Sequence, residues 1–177
     1  MDRQIKIGEY KTPFGDMIIG SYERKLCLCD WKNRKMRKAI DDRIKEHLEA
    51  EYVEEQSSII EECCKQLNEY FNRQRVEFDI PLLLIGSHFQ KMVWYKLLQI
   101  PYGTTLSYTE LSIKLLNRKA VRAIASANGA NPISIIVPCH RIIGSNGKMI
   151  GYGGGRRTKF KLLELEKVVF NQQLSLF

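Results

Sequence analysis

The chain has 177 residues, enough for one or two small domains that bury real cores, and no apolar run approaches membrane-spanning length. The N-terminal Met1-Asp2-Arg3-Gln4-Ile5-Lys6 lacks the apolar stretch of a signal peptide, so a soluble protein of the cytoplasm is expected. The formal charge of +8 is unevenly spread: residues 1–86 carry 15 Lys+Arg against 17 Asp+Glu, whereas residues 87–177 carry 13 against 3, halves of −2 and +10. A polyanion is the expected partner of the second half, nucleic acid before a membrane surface.

In chain order, residues 4 to 11, 16 to 22 and 26 to 31 are short β-rich segments separated by Pro13-Phe14-Gly15-Asp16 and Glu23-Arg24-Lys25, which predicts a three-stranded antiparallel meander. A basic cluster, Lys32 to Lys38, leads into an acidic stretch from Asp41 to Gln56 that reads as a solvated helix or loop. Ser58 followed by Glu61 forms a capping box for a helix to about Asn72, with Ile59, Cys63, Leu67, Tyr70 and Phe71 on its apolar side. Pro81 to Gly86 links this domain, residues 1–86, to a second one, residues 87–177.

The second domain opens with another capping box, Ser87 and Gln90, and an amphipathic helix marked by Phe89, Val93 and Leu97. Pro101-Tyr102-Gly103 turns the chain, Ser107 with Glu110 starts a helix to about Leu116, and Arg118 to Asn128 forms a third. Two short helices joined by a tight turn, the second carrying Lys119 and Arg122, make a helix-turn-helix pattern. Asn128-Gly129 ends that helix, and a Gly-rich loop and a last helix from about Arg157 to Val168 complete the domain.

The cysteines at 27, 29, 63, 64 and 139 are odd in number, and the two close pairs are poorly placed for disulfides, which points to a reducing compartment. Cys139 stands apart. It follows a proline at the end of an apolar run and abuts His140 and Arg141. A free thiol with a pKa near ~8.5 is only a few per cent thiolate at neutral pH, so a nucleophilic cysteine needs a base or positive charge beside it. Both are at hand.

Pro138-Cys139-His140-Arg141 resembles the signature of one family, the O6-alkylguanine-DNA alkyltransferases, or methylated-DNA-protein-cysteine methyltransferases. Matching segments flank it in order and spacing: Ile100-Pro101-Tyr102-Gly103-Thr104, Ser107-Tyr108, Lys119-Ala120-Val121-Arg122-Ala123, Asn131-Pro132, Gly151-Tyr152-Gly153-Gly154-Gly155 and Leu162-Leu163-Glu164-Leu165-Glu166. The resemblance is strong from about residue 80 to about 168 and weaker in Thr12-Pro13-Phe14-Gly15 and in Gln66-Leu67-Asn68-Glu69-Tyr70-Phe71 followed by Phe78-Asp79-Ile80-Pro81-Leu82. It implies an α+β protein: a ribonuclease H-like N-terminal domain holding the three-stranded sheet, and a mostly helical, winged helix-turn-helix-like C-terminal domain.

The resemblance also implies roles. Cys139 would take an alkyl group from O6-alkylguanine, and from O4-alkylthymine, in double-stranded DNA; His140 would accept the thiol proton, and Glu166, 27 residues after the cysteine, would orient the histidine. Glu164 is the local competitor, but two residues along a helix turn it to another face. Tyr108 would hydrogen-bond the guanine, Tyr152, Gly153, Gly154 and Val137 would form the substrate wall, and Asn131 would tie the recognition helix to the cysteine loop. Arg122 would fill the gap left by a flipped base, with Lys114, Arg118, Lys119, Ala120, Ala123 and Arg141 on the DNA.

Two features depart from the family pattern: Arg118 stands where proline is frequent, and Ser134 lies in the strand before the active loop, where pocket width is set. The thioether product has no easy leaving group, so one turnover per molecule is expected, with no cofactor and no obligate protein partner. No metal is expected either, since Cys27 and Cys29, offered as zinc ligands with His47 and His88, lie too close along a strand for a tetrahedral site. The rival readings are a lesion-binding relative without the cysteine, which Cys139 argues against, and a cysteine hydrolase or redox enzyme, which lacks dyad spacing and a nearby resolving cysteine.

Overall fold

The computed structural model describes residues 3–168, a mixed α+β chain whose backbone divides into two compact units, residues 1–86 and 87–177. In the first unit β1 (Arg3–Thr12), β2 (Gly15–Tyr22) and β3 (Lys25–Trp31) form the antiparallel meander. The turn between β1 and β2 is closed by the Thr12 hydroxyl, which accepts from Phe14 N–H at 2.9 Å and donates to Gly15 O at 2.8 Å.

The sheet has four strands, not three. β4 (Ala50–Glu54) pairs in parallel with β1, with Arg3 opposite Ala50 and Ile7 opposite Glu54, giving the order β3-β2-β1-β4. A parallel pair needs a crossover, and the crossover is α1 (Arg37–Leu48). The acidic stretch from Asp41 to Gln56 therefore holds a core helix and an edge strand rather than a solvated helix or loop. Ile40, Ile44 and Leu48 recur at four-residue spacing and pack against Ile5, Cys27, Leu28 and Ile85. Seven charged residues among the twelve of α1 mask that narrow stripe, and in β4 only Ala50 is buried.

The basic cluster before α1 is in part structural. Asp30 is fully buried and accepts both Arg34 Nη1, at 3.0 and 3.1 Å, and Arg37 Nη1 at 2.7 Å; Arg37 also grips Asp41, which in turn receives the Tyr52 hydroxyl at 2.7 Å. α2 (Ser58–Phe71) begins one residue earlier than the capping box predicts: Ser57 is the N-cap and its hydroxyl accepts from Ile60 N–H at 3.2 Å. Cys63 lies in the core beneath it.

The second unit runs α3 (His88–Leu97), β5 (Leu106–Ser107), α4 (Tyr108–Lys114), α5 (Val121–Gly129), β6 (Ile142–Ile143) and α6 (Arg156–Leu165), with tight 3-10 turns at Arg118–Ala120 and Cys139–Arg141. Both expected capping boxes are present, at Ser87 with Gln90 and at Ser107 with Glu110. The buried Trp94 of α3 donates its indole N–H to Ala127 O of α5 at 2.8 Å. Short β5 and β6 pair in parallel, which brings the residues just before Tyr108 alongside those just after Arg141.

Two sequence expectations change here. Ser134 is not in a strand: residues 134–136 form a turn with Ile135 at φ 72°, so the apolar run is buried as a compact turn rather than as sheet. α6 stops at Leu165, which makes Glu166 the residue that ends the helix rather than one within it. No helix among the described residues is long and apolar enough to cross a membrane, and no group of three or more His, Cys, Asp or Glu side chains among them could hold a metal ion.

Candidate active site

The site is built on the 3-10 turn Cys139–Arg141, which follows Pro138 and places three consecutive side chains on three different tasks. Cys139 is 3% exposed and His140 is fully buried. His140 Nε2 lies 2.7 Å from Glu166 Oε1. Arg141 clasps the same carboxylate with both arms, Nε to Oε2 at 2.9 Å and Nη2 to Oε1 at 3.0 Å, and donates from Nη1 to Ile100 O at 2.6 Å. Gly103 N–H adds a fourth donor, to Oε2 at 3.2 Å. A side chain at position 103 would place its Cβ 3.0 Å from Glu166 O at φ 74°, so the Pro101-Tyr102-Gly103 turn closes on the carboxylate only as glycine.

Burial alone would raise the Glu166 carboxyl, but His140 and Arg141 outweigh it and hold the group well below the usual carboxylate range. For His140 the balance is reversed. Burial pushes the imidazolium down more than Glu166 lifts it, and Arg141 and Lys159 push the same way as burial, so the ring is neutral at pH 7. An ionised carboxylate only accepts, so the single ring proton sits on Nε2 and Nδ1 keeps its lone pair. Nδ1 is buried and has no hydrogen-bond partner among the described residues. The arrangement is a neutral base that directly follows a cysteine in one 3-10 turn, held in one tautomer by a carboxylate.

Opposite this pair stands Tyr108, 7% exposed at the start of α4. Burial, with Cys139 nearby, pushes its phenol up to about 12, so it remains a donor at neutral pH. It donates to Gly151 O at 3.4 Å and accepts from Asn128 Nδ2 at 3.3 Å. Gly151 has φ 67°, and a Cβ there would come within 2.5 Å of the phenol oxygen; the backbone approaches because there is no side chain. Tyr152 presents its ring edge to His140, centroids 6.3 Å apart.

The model of the 6-O-methylguanine DNA methyltransferase ribonuclease-like domain matches residues 5–84, and that of the corresponding DNA-binding domain matches residues 88–168. A methylated-DNA–protein-cysteine methyltransferase of Methanosarcina barkeri is 38% identical over 157 residues, 89% of this chain and 94% of that protein. The chain belongs to this methyltransferase family. A Mycobacterium tuberculosis methylated-DNA–protein-cysteine methyltransferase is 54% identical over 112 residues, 63% of this chain and 68% of that one. The crystal structure of Mycobacterium tuberculosis OGT in complex with DNA superposes with a TM-score of 0.79 at 37% identity, over 93% of this chain and 92% of that chain.

Within this methyltransferase fold, Cys139, His140, Glu166, Tyr108 and Tyr152 come together, while Glu164 is exposed and turned away. Lys114, Arg118, Lys119, Arg122 and Ala123 are exposed around the turn between α4 and α5 and along α5, and Ala120 is half-buried. Gly153 and Gly154 are half-buried in the turn before α6, one step beyond the glycine that meets Tyr108. Asn131 and Val137 are fully buried and bound to each other, Asn131 Nδ2 to Val137 O at 2.9 Å, and Asn131 also takes Ile133 N–H at 2.9 Å. Asn131 is therefore a positioning residue for the cysteine turn. Arg141, expected on DNA, is 6% exposed, with its guanidinium committed to Glu166 and Ile100 O.

Two residues escaped the sequence reading. Asn128, read as a helix stop, is 1% exposed and donates to Tyr108 Oη and, at 3.4 Å, to Cys139 O. The available signal was an amide four residues after Ile124 on the buried side of α5. Lys159 of α6 is fully buried; its ammonium binds Ile142 O and, at 2.6 Å, Ile150 O, which joins the chain after the cysteine turn to the start of the Gly-rich loop. Burial pushes Lys159 down to about 8, against a smaller opposing pull from Cys139.

The Lys159 shift sets a stability profile. Between pH 8 and 10.5 the unfolded chain binds a proton at this lysine that the folded chain has released, so stability rises with pH across that window. The gain is on the order of 2–3 kcal/mol. Melting midpoints followed from pH 7 to 10.5 should climb more steeply for the wild type than for Lys159→Met; parallel profiles would contradict the assigned shift.

Proposed function

We propose that the protein is a DNA-repair alkyltransferase that moves the alkyl group of O6-alkylguanine, and of O4-alkylthymine, in double-stranded DNA onto its own Cys139. The observation that carries this reading is the fully buried His140, bonded to the Glu166 carboxylate that Arg141 also clasps, with Nδ1 unpaired among the described residues and in the same 3-10 turn as a nearly buried thiol. The sulfur attacks the alkyl carbon from behind, the carbon–oxygen bond breaks, and the S–H proton passes to His140 Nδ1. Tyr108, kept protonated by burial, donates to the departing guanine and lightens its charge. The guanine leaves with the phenol proton, and the proton held by His140 restores the phenol, so the thiol proton ends on guanine. A thioether remains.

That thioether has no good leaving group, so each molecule reacts once. No cofactor or metal enters any step. The C-terminal domain, residues 87–177, carries both catalysis and DNA binding, and the N-terminal domain is residues 1–86. The target oxygen lies inside the duplex, so the nucleotide must be turned out, at a cost of a few kcal/mol. The exposed Arg122 of α5 takes the place of the base, and Lys114, Arg118 and Lys119 meet phosphates. Repair anywhere in a chromosome calls for little base readout, and groove shape with phosphate contacts provides the binding. The place of action is the reducing cytoplasm, which keeps the five cysteines as thiols. A lesion-binding role without transfer is disfavoured by Cys139 itself.

Intact-mass measurement after incubation with O6-methylguanine duplex tests the reaction. The mass should rise by the single CH2 that replaces S–H with S–CH3, mapped to Cys139, and Cys139→Ser should bind the duplex without gaining it. An unmodified wild-type mass would overturn the proposal. Arg122→Ala should slow single-turnover repair of duplex by about 10-fold or more, in line with loss of a groove-filling contact, yet leave reaction with free O6-alkylguanine base near wild type. A weaker mismatch opposite the lesion should partly rescue it. Equal losses on both substrates would assign Arg122 to the fold instead.

A further inference from the structure

α4 ends in a stop motif that carries a leucine at its left-handed position. Leu115 closes the helix, Leu116 follows at φ 55°, Leu116 N–H donates to Ile113 O at 2.9 Å, and Asn117 N–H donates to Ser112 O at 3.0 Å. Those are the two bonds of a Schellman motif, whose left-handed residue is usually glycine because a Cβ crowds the neighbouring carbonyl there. Seven non-glycine residues among those described have positive φ. Five of them, Glu23, Arg24, Glu49, Arg73 and Lys167, are charged, and Ile135 is buried. Leu116 is the seventh, and its side chain is 95% exposed, so no burial offsets the strain.

Its surroundings indicate what covers it. Ile113, 41% exposed, stands one turn back on α4, and Lys114, Arg118 and Lys119 are exposed around the same tip. The nearby acid, Glu110, is already engaged by Ser107 N–H at 2.7 Å in the capping box. An apolar point ringed by cations, immediately before α5, suits a polyanion that also offers apolar surface, and deoxyribose on a phosphate backbone has both. A second copy of the chain is the competing occupant, but the half that carries this tip has 13 Lys+Arg against 3 Asp+Glu, so two such faces repel.

We infer that Leu116 is a DNA-contacting residue whose side chain packs against the sugar wall of the groove that α5 enters, while the flanking Lys114, Arg118 and Lys119 neutralise phosphates. The assignment rests on the alkyltransferase reading above. The chain accepts backbone strain at the joint of the helix-turn-helix, and the leucine is buried only when the duplex is bound.

Leu116→Gly and Leu116→Asn test this with three readouts. Both residues accept the left-handed backbone, so melting midpoints should equal or exceed wild type, and the reaction with free O6-methylguanine base should be unchanged. The Kd for an O6-methylguanine duplex should rise by about 5- to 10-fold, as expected for losing burial of roughly half a leucine side chain. The slope of log Kd against log salt should stay as in wild type, since no phosphate contact is removed. Wild-type duplex affinity in both variants would overturn the assignment. So would sedimentation showing a wild-type dimer that the variants lose, which would give Leu116 to a second copy of the chain. If the wild type itself fails to react with the free base, it is the alkyltransferase reading that falls, and this measurement separates the two.

Discussion

A buried carboxylate has to be compensated, and the second unit is organised around the compensation of Glu166. Its two oxygens receive His140, both arms of Arg141 and the Gly103 N–H, at distances from 2.7 to 3.2 Å. These donors come from the turn after α3, the cysteine turn and, through Glu166 itself, the end of α6, so a single anion fixes three separate pieces of chain. Removing one partner of such a buried pair leaves an unbalanced charge and typically costs about 3–5 kcal/mol, whereas the intact cluster need not add much net stability. Its value lies in specifying where His140 points.

The same economy joins α5 to the cysteine turn. The C-terminal end of α5 is held by Trp94 at Ala127 O, by Asn128 at both Tyr108 and Cys139 O, and by Asn131 at Val137 O. Under the proposed function, a nucleotide turned out at Arg122 meets a phenol and a sulfur whose positions are set by the helix that displaced it. Proximity of this kind counts for more than any single contact, because the reaction needs sulfur, carbon and leaving oxygen in line.

Much of this was legible in the sequence because the chemistry is local. Cys139, His140 and Arg141 are consecutive, capping boxes announce α3 and α4, and Glu166 stands 27 residues after the cysteine, where the family resemblance implies an acidic partner. Long-range partnership was not legible. Arg141 reads as a DNA cation until its guanidinium is found on Glu166, and nothing in the sequence around Lys159 signals that it is fully buried between two carbonyls. β4 was hidden because an edge strand is held through backbone pairing and needs little apolar alternation, and α1 because its buried stripe is only one residue wide.

The central claim is the protonation state of His140: neutral, with its proton on Nε2 toward Glu166 and a bare Nδ1. Nitrogen-15 NMR of histidine-labelled protein reads this directly, with His140→Gln used to assign the signal. Near pH 7, and still at pH 6.5 where an ordinary histidine is half protonated, His140 should show one pyrrole-type nitrogen at Nε2 and one pyridine-type nitrogen at Nδ1. Two pyrrole-type nitrogens, the signature of imidazolium, or the proton on Nδ1 would contradict the account.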